Sequence, residues 1–242
     1  MNKLKKLIHY TFNPIDLFKR LNKLYIFQNK YDSSNIHNER FKYFYDLNKF
    51  EEYKKGGNLL SVKRFNDKFC KNKYLLNSHQ SVRRQAVEIG SGSGWMANYL
   101  SNIFKKVIAI EPSNYGYKLS TQLFKDKKNI IWINLFAEDA LKKIQYVDKT
   151  FFITNHVLSH LNNNSVEKIC SEINSKKVPV GSILSFGELW TKDKNILKFT
   201  NTARSIKWWK ENLNSWNLNF HGPKLNSESK DIFKGFHGHK VI

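Results

Sequence analysis

The chain has little cysteine and no long apolar run, and both shortages narrow its class. The two cysteines, Cys70 and Cys170, lie far apart at apolar helical positions without metal-ligand spacing. We therefore expect reduced core thiols in a cytoplasmic protein rather than a disulfide framework. No apolar run approaches the ~18 residues that a membrane span needs. Residues 7–10 are too few and too polar for the core of a signal peptide.

Acidic residues are also scarce. The sequence has 20 Asp and Glu against 41 Lys and Arg, which gives a formal net charge of +21 over 242 residues. Such a charge favours anionic partners such as nucleic acid, acidic lipid or a phosphorylated substrate. The charge is spread along the chain, so solvated helix faces explain it equally well, and no RNA-binding module stands out. Nucleic acid is therefore the less favoured partner.

Residues 1–80 are predicted to form an aromatic-rich helical extension. A helix is predicted to begin at Asn13 and Pro14, and its apolar positions form one face opposite Lys and Arg. This face packs against the protein's own domain or lies on an anionic membrane surface, which would place the protein peripherally at the inner face of the membrane. The aromatic stretch at residues 41–53 is typical of a cap that encloses a substrate.

The remaining residues, 81–242, alternate between short apolar runs and helical patterns, which predicts one α/β domain. In such a doubly wound sheet, ligands bind at the carboxyl ends of the strands. The predicted strands cover residues 86–89, 107–110, 130–135, 151–154, 182–186, 218–220 and 233–242. The predicted helices cover residues 95–104, 157–161, 166–173 and 206–213, with a further helix around Leu119.

A glycine-rich stretch connects the first predicted strand to the first helix. Residues 88–94 read E-x-G-x-G-x-G, which lacks the glycine spacing of dinucleotide sites and the Lys of a P-loop. Glu88 would repel a pyrophosphate but can accept hydrogen bonds from a cationic amine. Glu111 lies 21 residues after Gly90, at the end of the second strand, where an acid can bind both ribose hydroxyls. The ligand implied has a ribose and a positively charged amino-acid end.

Because of the glycine-rich motif and the acid at the end of the second strand, the region from residue 86 to residue 190 resembles the class I S-adenosylmethionine-dependent methyltransferases. The resemblance implies a Rossmann-like, seven-stranded sheet whose last strand is antiparallel, and S-adenosylmethionine as the cofactor. It also implies that the first motif wraps the methionine part and the sugar, and that Glu111 binds the ribose hydroxyls. The residues of the first motif concerned are Glu88, Gly90, Ser91, Gly92 and Gly94.

Residues 136–140 are similar to the adenine-binding turn that follows the third strand in this family. The resemblance implicates Phe136, Ala137, Glu138 and Asp139 in cofactor binding. Phe136 stands where the family often has an acid, and it would stack on the adenine. Another register makes Asp139 the acid, so the contact to the adenine amino group stays open.

Residues 151–161 are similar to the fourth strand and following helix of the family, which implies that Asn155 and His156 line the floor beneath the methyl group. A hydroxyl acceptor benefits from a general base, whereas an amine needs only to arrive neutral. His156, His160 and Glu188 are the candidate bases because each lies near the carboxyl end of a strand. We favour His160 among them.

The methyl acceptor is the least defined part of the prediction. Asn155 is followed by His-Val-Leu, so the Asn/Asp-Pro-Pro-aromatic motif of base-methylating enzymes is absent. The aromatic extension favours a small molecule or a cell-surface glycan precursor, methylated on oxygen or nitrogen. RNA methylation and a noncatalytic cofactor-binding partner protein are the alternatives. His237 and His239 have no acid nearby, so no metal site is predicted, and the oligomeric state stays open.

Overall fold

The structure of the chain is a computed structural model that describes residues 84–198, 201–220 and 233–242. The predicted helical extension at residues 1–80, with its basic helix and aromatic cap, lies outside the described residues. In the part of the chain that is described, no helix combines the length and the apolar character that crossing a membrane requires.

Nine strands and five α-helices make up the described residues. The strands are β1 (Gln85–Ile89), β2 (Lys106–Ile110), β3 (Ile130–Ile133), β4 (Phe151–Asn155), β5 (Ile183–Thr191), β6 (Ile196–Lys198), β7 (Asn201–Ser205), β8 (Trp216–Phe220) and β9 (Phe233–Lys240). The helices are α1 (Trp95–Ser101), α2 (Asn114–Leu123), α3 (Ala137–Lys143), α4 (Asn163–Asn174) and α5 (Ile206–Asn212). A 3₁₀ turn at Leu158–His160 follows β4.

All nine strands belong to one sheet, and seven of them follow the order β3-β2-β1-β4-β5-β9-β8. Strands β1 to β5 are parallel, and β9 is antiparallel to both β5 and β8. This order confirms the predicted doubly wound, Rossmann-like sheet with an antiparallel last strand. The hairpin of β6 and β7 is an addition that was not predicted, and β7 pairs with the last two residues of β5.

The central strand β1 is buried along its whole length because helices cover both faces of the sheet. On one face, Val87 and Ile110 pack with apolar residues of α3, α4 and α5, such as Leu141. On the other face, Ala86 packs with Leu100 of α1. Successive side chains of a strand point to opposite faces, so β1 carries apolar side chains on both faces. The loops at the carboxyl ends of the strands are then the place where polar groups can gather.

Three local predictions differ from the structure. β5 continues to Thr191 instead of ending at residue 186, and Gly187 and Glu188 interrupt its apolar run at the point where its register with β9 shifts. The helical stretch predicted over residues 157–161 is shorter in the structure, which has a 3₁₀ helix of three residues there, Leu158–His160. β7 was missed because its sequence is polar and its pairing with β5 leaves no apolar pattern.

A buried lysine at the end of β9 closes the C-terminal end of α4. Lys240 is 2% exposed, and its Nζ donates to the carbonyl oxygens of Asn174 at 3.1 Å, Ser175 at 2.5 Å and Val178 at 2.8 Å. The last carbonyls of a helix have no partner within the helix. The ammonium therefore satisfies acceptors that would otherwise be buried and unpaired, and it joins the antiparallel last strand to the helix layer.

Candidate active site

The glycine-rich stretch between β1 and α1 forms a tight loop, called here the glycine loop (residues 90–94). Gly90, Gly92 and Gly94 have φ of 73°, 54° and 80°, a region that residues with a Cβ rarely adopt. A Cβ at Gly90 would also lie 2.4 Å from Cγ2 of Val157, and one at Gly94 would lie 2.6 Å from Cη2 of Trp132. Conformation thus requires glycine at all three positions, and packing requires it at two of them.

The glycine loop is anchored to the end of β2. Its first two N–H groups donate to the carbonyl oxygen of Ile110 at 2.9 Å. The N–H of Gly92 donates to Oε2 of Glu111, and the N–H of Ser113 donates to Oε1, both at 2.9 Å. Glu111 is 3% exposed, so these hydrogen bonds to an ionised acceptor fix a buried carboxylate beside the loop.

Glu88 is a buried carboxyl group with an unused acceptor. Its Oε2 and the hydroxyl oxygen of Ser91 have no hydrogen-bond partner among the described residues. Burial, together with the negative charge of Glu111, raises the pKa of Glu88 to about 8, against a hydrogen bond from the backbone of Ala97. A buried acceptor without a donor is unfavourable. This end of the loop therefore suits a ligand that brings N–H groups and positive charge.

The stretch predicted as an adenine-binding turn lies at the start of α3. Ala137 packs in the apolar core. Asp139 is exposed, and its carboxylate lies 3.5 Å from a lysine ammonium on the same helix. Phe136 and Glu138 are half-buried. The four predicted side chains therefore lie in different surroundings, and Phe136 and Glu138 are the two that are neither in the core nor turned to solvent.

The loop after β4, called here the β4 loop (residues 155–163), faces the glycine loop and touches it through the valine contact described above. Asn155 is exposed, and His156 and His160 are half-buried. His156 has a φ of 59°, which is uncommon for a residue with a Cβ. Its N–H donates to the carbonyl oxygen of Gly187 on β5 at 3.3 Å. The structure thus brings all three predicted acceptor-side residues onto one short loop.

Glu188 lies beneath the β4 loop. It is 0% exposed. Its Oε1 accepts hydrogen bonds from Oγ1 of Thr154 and the N–H of Val157, and its Oε2 accepts one from the N–H of Ser159, all at 2.9 Å. Both oxygens of this candidate base are therefore engaged with the protein's own donors, away from solvent.

Arg204 on β7 also reaches the β4 loop, and sequence reasoning missed it. The residue is 0% exposed, and its guanidinium donates to the carbonyl oxygens of Leu158 at 2.8 Å and Leu161 at 2.7 Å and to Oδ1 of Asn163 at 3.0 Å. Its Cζ lies 4.9 Å from the ring centroid of Trp208. Burial lowers the pKa of Arg204 to about 10. A single arginine in a polar stretch gives no sequence signal for such a role.

The two histidines of the last strand do not extend into a larger cluster. His237 and His239 lie on β9, opposite Asn219 and Asn217 of β8. Among the residues that the structure describes, no group of three or more His, Cys, Asp or Glu is arranged to hold a metal ion.

Comparison with known families identifies the domain that carries this site. Residues 87–184 match a family model described as a methyltransferase domain. No curated protein sequence matches the chain. The matched residues run from β1 to the start of β5, so they include the glycine loop, Glu111 and the β4 loop.

Three solved structures share the fold at low sequence identity. N-methyltransferase NodS from Bradyrhizobium japonicum, solved with S-adenosylhomocysteine, is 13% identical and aligns over 74% of this chain and 91% of its own, with a TM-score of 0.50. The 1,6-didemethyltoxoflavin N1-methyltransferase from Burkholderia thailandensis, solved with 1,6-didemethyltoxoflavin and S-adenosylhomocysteine, is 9% identical over 76% and 86%, with a TM-score of 0.51. Phosphoethanolamine N-methyltransferase 2 from Haemonchus contortus is 9% identical over 72% and 53%, with a TM-score of 0.55.

The family match, the fold and the cofactor loop together define the class of protein. Residues 87–184 form a methyltransferase domain. The predicted family, the S-adenosylmethionine-dependent enzyme class and the cofactor are confirmed for this domain.

The buried carboxyl of Glu88 predicts a specific pH dependence of stability in the cofactor-free protein. Its pKa is raised from 4.5 to about 8, so between these values the folded state binds a proton that the unfolded state has released. The free energy of unfolding therefore falls as the pH rises from about 5 to about 9. Glu88→Gln cannot titrate, and it should be more stable than the wild type at pH 9 by on the order of 2–4 kcal/mol.

Urea unfolding of both proteins at pH 5, 7 and 9 measures this difference. The other titrating groups are common to the two proteins, so the difference between their curves isolates Glu88. Parallel curves over this range would contradict the raised pKa.

Proposed function

We propose that this methyltransferase transfers a methyl group to an oxygen or nitrogen of a small molecule or a glycan precursor. The observation that carries the proposal is the contact between the glycine loop and the β4 loop, where the side chain of Val157 occupies the space beside Gly90. This contact sets the polar residues after β4 against the loop that holds the cofactor. Asn155 and His156 then form the floor on which a polar acceptor would lie.

The residues of the glycine loop region fit S-adenosylmethionine. The unpartnered Oε2 of Glu88 suits its ammonium group, because a cationic donor would satisfy a buried acceptor. The carboxylate of Glu111, held by two backbone N–H groups, suits the two ribose hydroxyls. Gly90, Gly92 and Gly94 let the backbone approach the ligand closely, since none of them has a Cβ in the way.

The hydroxyl of Ser91 and the start of α3 complete the proposed cofactor contacts. The Ser91 hydroxyl oxygen is buried and has no partner among the described residues, so it is free to bind the methionine part. At the adenine end, the half-buried Phe136 and Glu138 suit a stacking and a hydrogen-bonding contact. Ala137 and Asp139 suit such contacts less, because one packs in the core and the other faces solvent.

S-adenosylmethionine supplies an electrophilic methyl group bound to a sulfonium. The work left to the protein is to hold the acceptor atom in line and to exclude water. For a hydroxyl acceptor, the imidazole of His160 would take the proton, whereas an amine needs only to arrive neutral. Glu188 suits this proton transfer poorly, because both of its oxygens already accept hydrogen bonds from the protein.

The structural relatives support an acceptor of low molecular weight. All three proteins are named as N-methyltransferases, and two of the names give a small molecule, 1,6-didemethyltoxoflavin or phosphoethanolamine. The likeness to them extends only to the fold.

Removing the carboxylate of Glu111 should weaken cofactor binding. A hydrogen bond to a charged group contributes about 1.5–3 kcal/mol, so Glu111→Ala should raise the dissociation constant for S-adenosylhomocysteine by about ten- to a hundredfold. Isothermal titration calorimetry measures it. Glu211→Ala, which removes an exposed carboxylate on α5, is the matched control.

The Glu111→Ala change also removes the acceptor of two backbone N–H groups, so the fold must be checked separately. Glu111→Gln keeps the size of the side chain and one acceptor oxygen, and it should lower affinity in the same direction. Unchanged affinity in both variants, with thermal unfolding like that of the wild type, would refute the ribose assignment.

Replacing the proposed base should affect turnover more than binding. His160→Ala should lower the turnover number by roughly 10²–10³-fold for a hydroxyl acceptor, in line with the usual contribution of general bases. Affinity for S-adenosylhomocysteine should change little, since the imidazole is not assigned to the cofactor. Comparable losses in both quantities would exclude His160 as the base.

The acceptor class can be tested with methyl-tritiated S-adenosylmethionine and the purified full chain. Cell lysate is separated into small-molecule, glycan and RNA fractions, and each is incubated with the protein. Label in the small-molecule or glycan fraction is expected. Label confined to RNA would replace the proposal with RNA methylation, and no label in any fraction would favour a noncatalytic partner protein. A sample with Glu111→Ala is the control for transfer by contaminating enzymes.

A further inference from the structure

We propose that Glu188 and Arg204 are positioning residues that hold the β4 loop in its active shape from below. The inference rests on the proposed function only in that the β4 loop forms the acceptor side of the site. The hydrogen bonds of Glu188 and Arg204 go to the end of β4, the β4 loop and the start of α4. Each acts through the backbone of the loop that carries His156 and His160.

The loop needs such support because its backbone is irregular. A 3₁₀ turn of three residues, Leu158–His160, satisfies few of its own N–H and C=O groups. Buried backbone groups that remain unpaired cost free energy comparable to a lost hydrogen bond. Side chains from outside the loop must therefore complete the pairing.

Glu188 supplies the acceptor for N–H groups of the loop. Its carboxylate accepts from the N–H groups of Val157 and Ser159 and from the hydroxyl of Thr154, at the end of β4. Hydrogen bonds to an ionised acceptor are roughly twice as strong as neutral ones. The two N–H groups flank Leu158, so the carboxylate fixes the start of the 3₁₀ turn.

Arg204 supplies the donors for carbonyl oxygens of the same loop. Its guanidinium donates to the carbonyl oxygens of Leu158 and Leu161 and to the side chain of Asn163, which begins α4. The planar fork of an arginine reaches several acceptors in fixed directions, which a lysine ammonium does not. The guanidinium therefore fixes the end of the turn and its junction with α4.

The two charges are both buried, and the carboxylate opposes the effect of burial on the pKa of the guanidinium. Glu188 and Arg204 are both 0% exposed, and the carboxylate acts electrostatically on the guanidinium. Removing one charge of a buried pair leaves the other without its counter-charge. Their hydrogen bonds enclose the β4 loop from two directions, so we call the two residues the buried clamp.

The clamp depends on two local features of the sheet. The register of β5 with β9 shifts between Phe186 and Leu189, and Glu188 lies within this irregular part of the strand. The added strand β7 pairs with β5 at Trp190 and Thr191, and this pairing sets Arg204 beneath the 3₁₀ turn. A sheet without the β6–β7 hairpin would have no residue at this position.

A loop held in this way presents its histidines in one geometry. Displacing a reacting group by about 1 Å can lower a rate by roughly 10²-fold. The left-handed backbone of His156, at a φ of 59°, is a conformation that persists only where the surroundings enforce it. The clamp therefore acts first on the acceptor side of the reaction, because the glycine loop has its own anchor on β2.

Arg204→Lys tests the clamp, because it keeps the charge and removes the fork. Hydrogen exchange of the full chain, followed by mass spectrometry, compares peptides from residues 155–163 with peptides from residues 88–98. We expect exchange in the β4 loop to accelerate by about tenfold or more, with little change in the second segment. The dissociation constant for S-adenosylhomocysteine should stay within about threefold of the wild-type value.

Lys240→Met is the matched control. Lys240 is also a buried cation that donates to backbone carbonyls, but it lies at the far end of α4. Its loss should lower the thermal unfolding temperature without selective acceleration in the β4 loop. Glu188→Gln, a second variant that keeps the size of the side chain, should resemble Arg204→Lys.

In the lysate fraction that accepts label, Arg204→Lys should raise the half-saturating amount of acceptor by about tenfold while leaving that of S-adenosylmethionine nearly unchanged. Equal acceleration of exchange in both segments, as expected for general destabilisation, would overturn the clamp, and so would unchanged exchange in the β4 loop. Exchange and cofactor binding need no acceptor. A failure to find labelled acceptor would therefore count against the proposed function and leave the clamp standing.

Discussion

The site depends on one constraint, which is that irregular loops at the ends of buried parallel strands must find partners for their backbone N–H groups. Two carboxylates meet this need. Glu111 accepts from Gly92 and Ser113 at the end of β2, and Glu188 accepts from two N–H groups of the β4 loop. Each carboxylate gains charge-assisted hydrogen bonds that offset its loss of hydration. The shapes of the glycine loop and the β4 loop therefore depend on where these two acids lie in the sequence.

Glu88 is a third buried acid, and among the described residues only one of its two oxygens has a hydrogen-bond donor. One of its oxygens has no partner, and burial raises its pKa to about 8. The three acids of the site therefore differ by their surroundings and not by their chemistry. Glu111 and Glu188 anchor loops by accepting backbone hydrogen bonds, and Glu111 also suits the ribose hydroxyls. The third is held in an unfavourable state that a cationic ligand relieves, which is a common arrangement at functional sites.

The parts that the sequence predicted are those whose information is local. The glycine spacing, Glu88 and Glu111 lie on one strand-loop-helix unit and the strand after it, and the apolar runs of β1, β2 and β4 follow from burial on both faces. Arg204 and the contacts of Glu188 could not be predicted, because they depend on which strands pair at the edge of β5. The polar sequence of β7 has no periodic pattern, and the apolar run of β5 is interrupted by Gly187 and Glu188.

The three left-handed glycines also set a limit on how this protein can be stabilised. Replacing a glycine by alanine ordinarily stabilises a protein by about 0.4–1 kcal/mol, because the unfolded chain loses conformational freedom. Alanine would not give this stabilisation at Gly90, Gly92 or Gly94, because a positive φ strains any residue with a Cβ. The glycine loop therefore cannot be stabilised by such replacements. Substitutions that raise the thermal stability must lie elsewhere, in the sheet and the helices.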